Sequence, residues 1–315
     1  MPHRHSAPAS HTLVAVRRRH RLPIVAITCV VLGALASCTS SARPSRDTLA
    51  LPVPTPAEQV SRLVAIRASR NITIGVKEDV PLFGLLDTKT GTLSGFDIEI
   101  AKGIAERLFP GDDPTTRINF VEALSKNRET LLRSGRVDLV ISTYTITDAR
   151  KQLVDFAGPY YIAGQDVLAR REMIDAGTIR GIDDVNGRKV CSVTGSTSLI
   201  NLQNAAPKAD ISITRDKYSE CFEELRAGRV DAMTTDDVIL LGLALQDTRF
   251  ALTGNPFRTE PYGIGVPKGD NELRAFVNDA LEDMTRTGEW ADAFQSTVGT
   301  AGALVPAPPA IDRYE

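Results

Sequence analysis

The segment ETLLRSGRVD at residues 129–138 returns as EELRAGRVD at residues 223–231, and this duplication decides the fold. In each copy the end of a helix is followed by a glycine at the position after the C-cap, and then by an Arg-Val-Asp start of a strand. The two Gly-Arg-Val-Asp tetrads start 93 residues apart. We interpret them as one helix–strand unit used once in each of two lobes. Two similar turns within one large sheet are the alternative.

The sequence around the first copy alternates between strand and helix patterns. β-Branched and apolar residues dominate residues 71–76, 117–121 and 137–142, as is typical of strands. Apolar residues at helical spacing predict helices over residues 96–109 and 127–134. Strands that alternate with helices pair in parallel through right-handed crossovers. The sequence therefore predicts an α/β fold.

The composition argues against several classes of function. The chain has 315 residues, of which 42% are hydrophobic and 24% charged, as in ordinary globular proteins. A net charge of −2 and an aromatic content of 5% give no indication of a nucleic-acid partner. All four histidines lie within the first twenty residues, so the folded part has no histidine for a catalytic triad or a metal site. We therefore expect no cofactor, no metal and no enzymatic activity.

The first 37 residues have the pattern of a secretory signal peptide. A cluster of arginines precedes an apolar run at residues 22–35, which is short for a membrane span. The sequence LASC at residues 35–38 resembles a bacterial lipoprotein box, in which the cysteine becomes the lipid-modified N-terminus. We expect Cys38 to anchor the protein to the outer side of the cell membrane. A simple secretion signal with an incidental Cys38 is the alternative.

Two segments flank the predicted folded part. Residues 38–70 are interpreted as a lipid anchor, a flexible tether and a leading segment, and the tether is inferred from the Ser, Thr and Pro content of residues 39–57. Residues 297–315 are interpreted as a loose Pro- and Ala-rich tail. The signal peptide contains five arginines and no acidic residue, so its removal would change the net charge from −2 to −7.

Two cysteines, Cys191 and Cys221, remain in the folded part. Secreted proteins occupy an oxidising compartment, in which such a pair forms a disulfide. We expect this bridge, with two buried free thiols as the alternative.

Polar residues follow the strand after each tetrad. These residues are STYT at 142–145 and TTDD at 234–237. Ligands of open parallel sheets bind at the carboxyl ends of the strands. The first edge is rich in hydroxyl groups and is followed by Arg150, whereas the second edge is acidic. A cleft between them suits a ligand that carries both a carboxylate and an ammonium group.

Further motifs extend this pattern over about residues 70–296. They are GFDIEI (95–100), TITDAR (145–150), VDFAGPYY (154–161), VTGSTS (193–198), TTDD (234–237) and EPYGIGVPKGD (260–270). In order and spacing they resemble the polar-amino-acid solute-binding proteins of ABC importers, family 3 of the bacterial extracellular solute-binding proteins. Within that family the chain looks similar to actinobacterial glutamate-binding lipoproteins.

The resemblance implies a two-lobed periplasmic-binding-protein fold of type II that closes around its ligand by a hinge. Lobe 1 would comprise residues 71–164 and 260–296, and lobe 2 residues 165–259. Two crossings would join the lobes, near residues 164–165 and 258–260. The resemblance also implies a monomer.

The resemblance implies how each lobe would contact an amino acid. Arg150 would bind the α-carboxylate through a bidentate pair, with Thr143 and Thr145 beside it. Asp236 would accept the α-ammonium group, and its neighbour Asp237 would cap the following helix. A solvated arginine, and a turn hydroxyl at Thr145, are the alternatives.

Thr194, Ser196 and Thr197 belong to a loop that opens a helix in lobe 2. The free N–H groups of a helix N-terminus suit an anion, and in the family this loop contacts the ligand. An ordinary hydroxyl cap without a ligand is the alternative.

Lys77, Ser125 and Arg128 line up with the side-chain-carboxylate contacts of the glutamate/aspartate branch. A second carboxylate in a closed cleft needs such compensation. Surface positions for Lys77 and Arg128 are the alternative, and Asp79 could neutralise Lys77.

The implied partners are L-glutamate or a related acidic or amide amino acid, and the permease subunits of an ABC transporter. The same fold also serves sensors that dock on membrane signalling proteins. A third reading is a dehydratase-like enzyme on the same scaffold.

Overall fold

The computed structural model describes residues 61–314. The predicted signal peptide, Cys38 and the tether lie outside these residues. Among the helices described, none combines the length and the apolar character that a bilayer crossing requires.

Helices and strands alternate through most of the described residues. The strands are β1 Ile72–Val76, β2 Asp79–Val80, β3 Gly84–Asp87, β4 Thr92–Ser94, β5 Ile118–Glu122, β6 Leu139–Val140, β7 Asp155–Arg170, β8 Val190–Val193, β9 Thr214–Arg215, β10 Ala232–Asp236, β11 Phe250–Leu252 and β12 Arg258–Val266. The helices are α1 Arg62–Ser69, α2 Phe96–Leu108, α3 Arg128–Arg133, α4 Asp148–Lys151, α5 Arg171–Asp175, α6 Thr197–Ala205, α7 Tyr218–Arg226, α8 Asp237–Ala244, α9 Asn271–Thr287 and α10 Glu289–Ser296.

A mixed sheet runs through both lobes in the order β5-β1-β6-β12-β7-β10-β8-β9, with β11 beside β7. The outer strands are parallel to their neighbours, as predicted: β1 with β5 and β6, and β8 with β9 and β10. The long strand β7 pairs antiparallel with β12 through its first part and with β10 and β11 through its last part. The predicted α/β, two-lobed fold is confirmed. The two crossings predicted near residues 164–165 and 258–260 fall in β7 and β12, where Arg258 lies opposite Gln165. The residue boundaries of the lobes stay a prediction.

Both Gly-Arg-Val-Asp tetrads have the same local structure. Gly135 after α3 and Gly228 after α7 have φ values of +68° and +71°, which glycine adopts without steric cost. Asp138 accepts a 2.7 Å hydrogen bond from the Thr73 N–H of the neighbouring β1. Asp231 likewise accepts a 2.9 Å hydrogen bond from the backbone N–H of Lys189, just before β8. The repeated sequence thus builds the same junction in each lobe.

Phe96, from the GFDIEI motif, is fully buried in lobe 1. Its ring makes edge-to-face contacts with Phe83 and Trp290, with centroid separations of 5.7 and 5.5 Å, a favoured aromatic geometry. This packing fixes the first turn of α2. The next residue, Asp97, is thereby placed beneath the cleft.

Residues 62–69, at the end of the predicted leading segment, form helix α1. The Ser61 side chain caps its N-terminus through the Leu63 N–H, and the backbone N–H of Arg62 donates to Asp270 at 2.7 Å. Local capping and contacts with lobe 1 therefore order a segment whose composition gave no helical prediction.

The last residues of the C-terminal tail are held against the fold, contrary to the prediction that the tail is loose. The Asp312 N–H donates to the Gly158 oxygen at 2.8 Å, and the Phe156 N–H donates to the Tyr314 hydroxyl at 2.8 Å. Among the described residues, this part of β7 has β12 on one side and no strand on the other. The tail satisfies backbone groups that an edge strand leaves free, a role that composition does not reveal.

Cys191 in β8 and Cys221 in α7 form a disulfide. Both residues are fully buried, so the bridge ties α7 to the sheet of lobe 2.

Replacing both cysteines by alanine should lower the free energy of unfolding by about 3–4 kcal/mol, because the bridge closes a loop of 30 residues. Denaturant unfolding of the ligand-free protein measures the change. Reduced wild-type protein is the matched control and should shift in the same direction. An unchanged midpoint in both samples would contradict a stabilising bridge.

Candidate functional site

The two lobes contact each other directly where β6, β8 and β10 end. The Arg150 Nη2 donates to the Gly195 oxygen at 3.2 Å. The Thr197 hydroxyl lies 3.4 Å from the Thr145 hydroxyl. Ion pairs also cross the cleft at Lys126–Asp216 and Glu122–Lys217. The structure therefore has a closed cleft and brings together predicted contacts from both lobes.

Arg150 is a buried cation rather than a solvated one. It lies in the short helix α4 and is 8% exposed. Its Nη1 donates to the Thr145 oxygen at 2.7 Å, and its Nε lies 3.4 Å from Glu129. Burial, followed by the nearby Arg128, lowers the pKa of Arg150 to about 10. The guanidinium therefore stays charged at neutral pH and is held ready for an anion.

The three predicted side-chain contacts are also buried together. The Lys77 Nζ donates to the Ser125 hydroxyl at 2.9 Å. The Arg128 Nη1 donates to the Ser142 and Thr143 oxygens at 3.0 and 3.2 Å. The Arg128 Nε is buried and has no hydrogen-bond partner within residues 61–314. Neither cation lies on the surface, so the structure does not support the alternative of surface charges.

Aromatic faces support these cations. The Arg128 and Arg150 guanidinium carbons lie 4.2 and 5.0 Å from the centre of the Tyr144 ring. The Lys77 Nζ lies 5.4 Å from the Tyr218 ring. Such cation–π contacts offset part of the cost of removing charge from water. Burial, then repulsion by Arg128, still lowers the pKa of Lys77 to about 7, and attraction by Asp79, Glu122 and Asp97 only partly offsets this shift.

The opposite end of the cleft is acidic. Asp236 accepts a 2.6 Å hydrogen bond from the Tyr262 hydroxyl and a 3.4 Å hydrogen bond from the Ser198 hydroxyl. Burial, followed by the neighbouring Glu260, raises the pKa of Asp236 to about 7. A cation beside Asp236 would relieve this repulsion.

Glu260 is a buried residue that the predicted set of contacts missed. It accepts 2.8 Å hydrogen bonds from the Thr197 hydroxyl and from the Asn201 amide. Asn201 also donates to Gln165 of β7 at 2.9 Å. Glu260 therefore links α6 to the two crossing strands. In the sequence, Glu260 stands at the head of EPYGIGVPKGD and at the second predicted crossing, and neither signal assigned it a ligand contact.

Thr143 has a strained backbone at the cleft. Its φ is +42°, which is uncommon and costly for a β-branched residue. Its N–H donates to Asp97 at 3.0 Å, and Asp97 also accepts a 2.5 Å hydrogen bond from Tyr160. Burial raises the pKa of Asp97 to about 7. The Thr143 hydroxyl is buried and has no partner among the described residues.

The residues of the predicted ligand loop in lobe 2, which are Thr194, Ser196 and Thr197, have different roles. The Ser196 hydroxyl donates to the Val193 oxygen at 2.7 Å and accepts from the Leu199 N–H at 3.0 Å, so it caps α6. The Thr194 N–H donates to the Arg215 oxygen at 2.9 Å. These two residues shape the loop, whereas Thr197 faces Glu260 and Thr145. A ligand role for Thr194 and Ser196 stays a prediction.

The structure also shows the contacts of Asp79 and Asp237, for which the sequence suggested a role in neutralising Lys77 and in capping a helix. Asp79 accepts hydrogen bonds from the Ser219 N–H and hydroxyl at 3.0 and 3.2 Å, so it bonds across the cleft rather than to Lys77. Asp237 is the first residue of α8 and accepts from the Val238 N–H at 2.7 Å. Asp236, not Asp237, occupies the N-cap position of α8, and its side chain makes no cap hydrogen bond.

The described residues contain no group of three or more His, Cys, Asp or Glu side chains arranged to hold a metal ion. The arrangement that they do contain is a pair of buried, oppositely charged ends facing one cleft.

Comparison with known proteins gives a consistent set of relatives. Residues 72–300 match the model of the bacterial extracellular solute-binding proteins, family 3. The chain is 38% identical over 237 residues to the ABC transporter glutamine-binding protein GlnH of Bacillus subtilis, covering 75% of the chain and 84% of that protein. It is 36% identical over 252 residues to the glutamate-binding protein GluB of Corynebacterium efficiens, covering 77% and 84%. The solved cysteine-binding protein from Campylobacter jejuni is similar with a TM-score of 0.71 and 26% identity, covering 77% and 94%.

Replacing Lys77 by methionine should stabilise the ligand-free fold by about 1–3 kcal/mol at neutral pH, because the cost of burying an amine is only partly offset by its contacts with Ser125 and Tyr218. The pKa of Lys77 is lowered to about 7 from 10.5, so the unfolded chain binds more protons between these values. Wild-type stability should therefore rise with pH in this window, and the variant should lack this contribution.

Denaturant unfolding at pH 7 and pH 10 checks both effects. The matched control is Lys208→Met at an exposed lysine, which should change stability by less than about 0.5 kcal/mol. A Lys77→Met variant less stable than wild type at pH 7 would contradict the prediction.

Proposed function

The chain belongs to the bacterial extracellular solute-binding proteins, family 3, and from this premise we propose that it binds an acidic or amide L-amino acid, with glutamate preferred. As a member of this family it is a binding protein rather than an enzyme. One observation carries the proposal: the cations Lys77, Arg128 and Arg150 of predicted lobe 1 and the carboxylate of Asp236 in predicted lobe 2 are all buried at one closed cleft.

The amino-acid backbone of the ligand accounts for one charge on each side. Arg150 would bind the α-carboxylate, with the hydroxyls of Thr143 and Thr145 as additional contacts. Asp236 would accept the α-ammonium group, with Glu260 as a second nearby anion. Because these groups come from different lobes, the ligand would contact the closed state more extensively than an open one. Binding would therefore shift the population towards closure.

The side chain of the ligand would face Lys77, Ser125 and Arg128. The Arg128 Nε is buried without a hydrogen-bond partner among the described residues, and burial lowers the pKa of Lys77 despite the nearby carboxylates. A ligand carboxylate would add negative charge beside both cations, whereas an amide would not. This argument favours glutamate over glutamine, although relatives with either name are similar to the chain.

The LASC sequence at residues 35–38 supports a location outside the cytoplasm, with a lipid on Cys38 holding the protein at the membrane. There the closed, monomeric protein would present its amino acid to the permease subunits of an ABC transporter. Globomycin-sensitive processing and labelling with radioactive palmitate in cells test the lipid. A Cys38→Ala chain that is still labelled would argue against it.

Isothermal titration of the purified protein with glutamate, aspartate, glutamine and asparagine tests the ligand class. Glutamate should bind, and Arg150→Ala should weaken its binding at least about 100-fold, because a charge-assisted bidentate contact is lost. The matched control is Arg180→Ala at an exposed arginine, which should bind like wild type. Retained affinity in a folded Arg150→Ala protein would remove Arg150 from the site.

Glutamate affinity should fall as the pH rises from 7 to 9. A ligand carboxylate raises the pKa of Lys77, so binding takes up a proton when the free lysine is neutral. The pKa of about 7 places that uptake above neutral pH. Lys77→Met should lose this pH dependence and bind glutamate about 10-fold more weakly at pH 7, with a smaller change for glutamine. An equal pH slope for both proteins would exclude Lys77 from the side-chain contact.

A further inference from the structure

The end of the tail lies against the helix that carries Arg150. We call residues 312–314 the C-terminal strap and propose that it positions Arg150 for the ligand by holding helix α4. The inference rests on the proposed function for the role of Arg150, and on the geometry of the strap for the hold on α4. It assigns a positioning role to a segment that lies outside the matched residues 72–300.

The strap contacts the last residue of α4, Lys151. The Lys151 Nζ lies 3.9 Å from the centre of the Tyr314 ring and 3.6 Å from the Asp312 carboxylate. The Lys151 backbone oxygen accepts a 2.6 Å hydrogen bond from Lys268. Lys151 directly follows Arg150, so a shift of its backbone would move the guanidinium as well.

The strap is itself fixed to the sheet. The Tyr314 hydroxyl accepts from the Phe156 N–H at 2.8 Å, and the Asp312 N–H donates to the Gly158 oxygen at 2.8 Å. The Phe156 ring lies 4.8 Å from the ring of Tyr144, on which the Arg150 guanidinium rests. Tyr314 therefore reaches Arg150 by two routes, one through the backbone of α4 and one through packed aromatic rings.

Helix α4 needs such external support because it has only four residues. A helix this short does not persist by its own hydrogen bonds. Its start is held by the Thr147 side chain, which accepts from the Arg150 N–H at 3.2 Å. The strap holds its end. A guanidinium that is already in place loses less freedom when an anion binds, and affinity rises accordingly.

The experiment compares three variants of the full chain. Tyr314→Ala removes the ring, Tyr314→Phe keeps the ring over Lys151, and Arg313→Ala breaks the exposed pairs with Asp279 and Glu282. Hydrogen exchange of the ligand-free proteins is followed at α4, where the Lys151 and Val154 amides donate to Thr147 and Arg150. Glutamate affinity is measured in parallel by titration.

Tyr314→Ala should speed exchange at these two amides about tenfold and raise the Kd for glutamate about 5–10-fold. Tyr314→Phe keeps the ring over Lys151 but loses the hydroxyl that accepts from the Phe156 N–H, so it should fall between Tyr314→Ala and wild type in both measurements. Arg313→Ala should stay within about twofold of wild type. Partial recovery by phenylalanine separates the ring contact from general damage to the fold.

Unchanged exchange at α4 in Tyr314→Ala would overturn the hold of the strap on the helix. Exchange that is equally faster at remote β1 amides would overturn it as well, because it would indicate a general loss of stability. Faster α4 exchange with an unchanged Kd would overturn the link to Arg150. If wild type binds none of the four amino acids, the proposed function fails, and the exchange result still decides whether the strap holds α4.

Discussion

The antiparallel pairing of β7 with β12 is the constraint on which the rest of the structure depends. Its register runs from Arg258 opposite Gln165 to Val266 opposite Asp155, with an irregularity between Tyr262 and Ile264. At that irregularity β12 meets the first polar edge of the cleft, because the Gly263 N–H donates to the Tyr144 oxygen at 2.9 Å. A Cβ on Gly263 would lie 2.6 Å from the Ile146 side chain, so a larger residue at this position would have to displace that side chain. The same strand carries Tyr262 to Asp236, and one pairing thus sets both sides of the cleft.

The cleft of the ligand-free protein contains buried charges whose electrostatic free energy is unfavourable, and a ligand of complementary charge would lower it. Lys77 and Asp236 are held at pKa values of about 7, from opposite directions, because burial penalises both charged forms. Lys77 and Asp236 hydrogen-bond to hydroxyl groups, and among the described residues neither of them forms an ion pair. Burying these two charges without an opposite partner costs stability in the free protein, as is common where a fold prepares a binding site. A zwitterion with an additional carboxylate has the complementary charge pattern.

Local patterns in the sequence predicted the regular elements well. The predicted helix over 96–109 is α2, and the predicted strand over 71–76 is β1, because periodicity reports which face of a segment is buried. The duplicated tetrads located two equivalent junctions, since glycine at a left-handed position and aspartate beside a neighbouring strand act within a short stretch of chain. Local sequence pattern does not show whether Lys77 and Arg128 are buried or exposed, so it left a surface position open for both.

The amino-acid sequence by itself determined the α/β class, the duplication of the helix–strand unit, and the residue types that line the two strand edges. These properties follow from local periodicity and turn chemistry, which act over a few residues. Only the tertiary structure decided that Glu260 joins the site, that Ser196 serves as a cap, and that Tyr314 covers the edge of β7. Each of these roles depends on a partner distant in sequence, and contacts of that kind are set by how the crossing strands bring the lobes and the tail together.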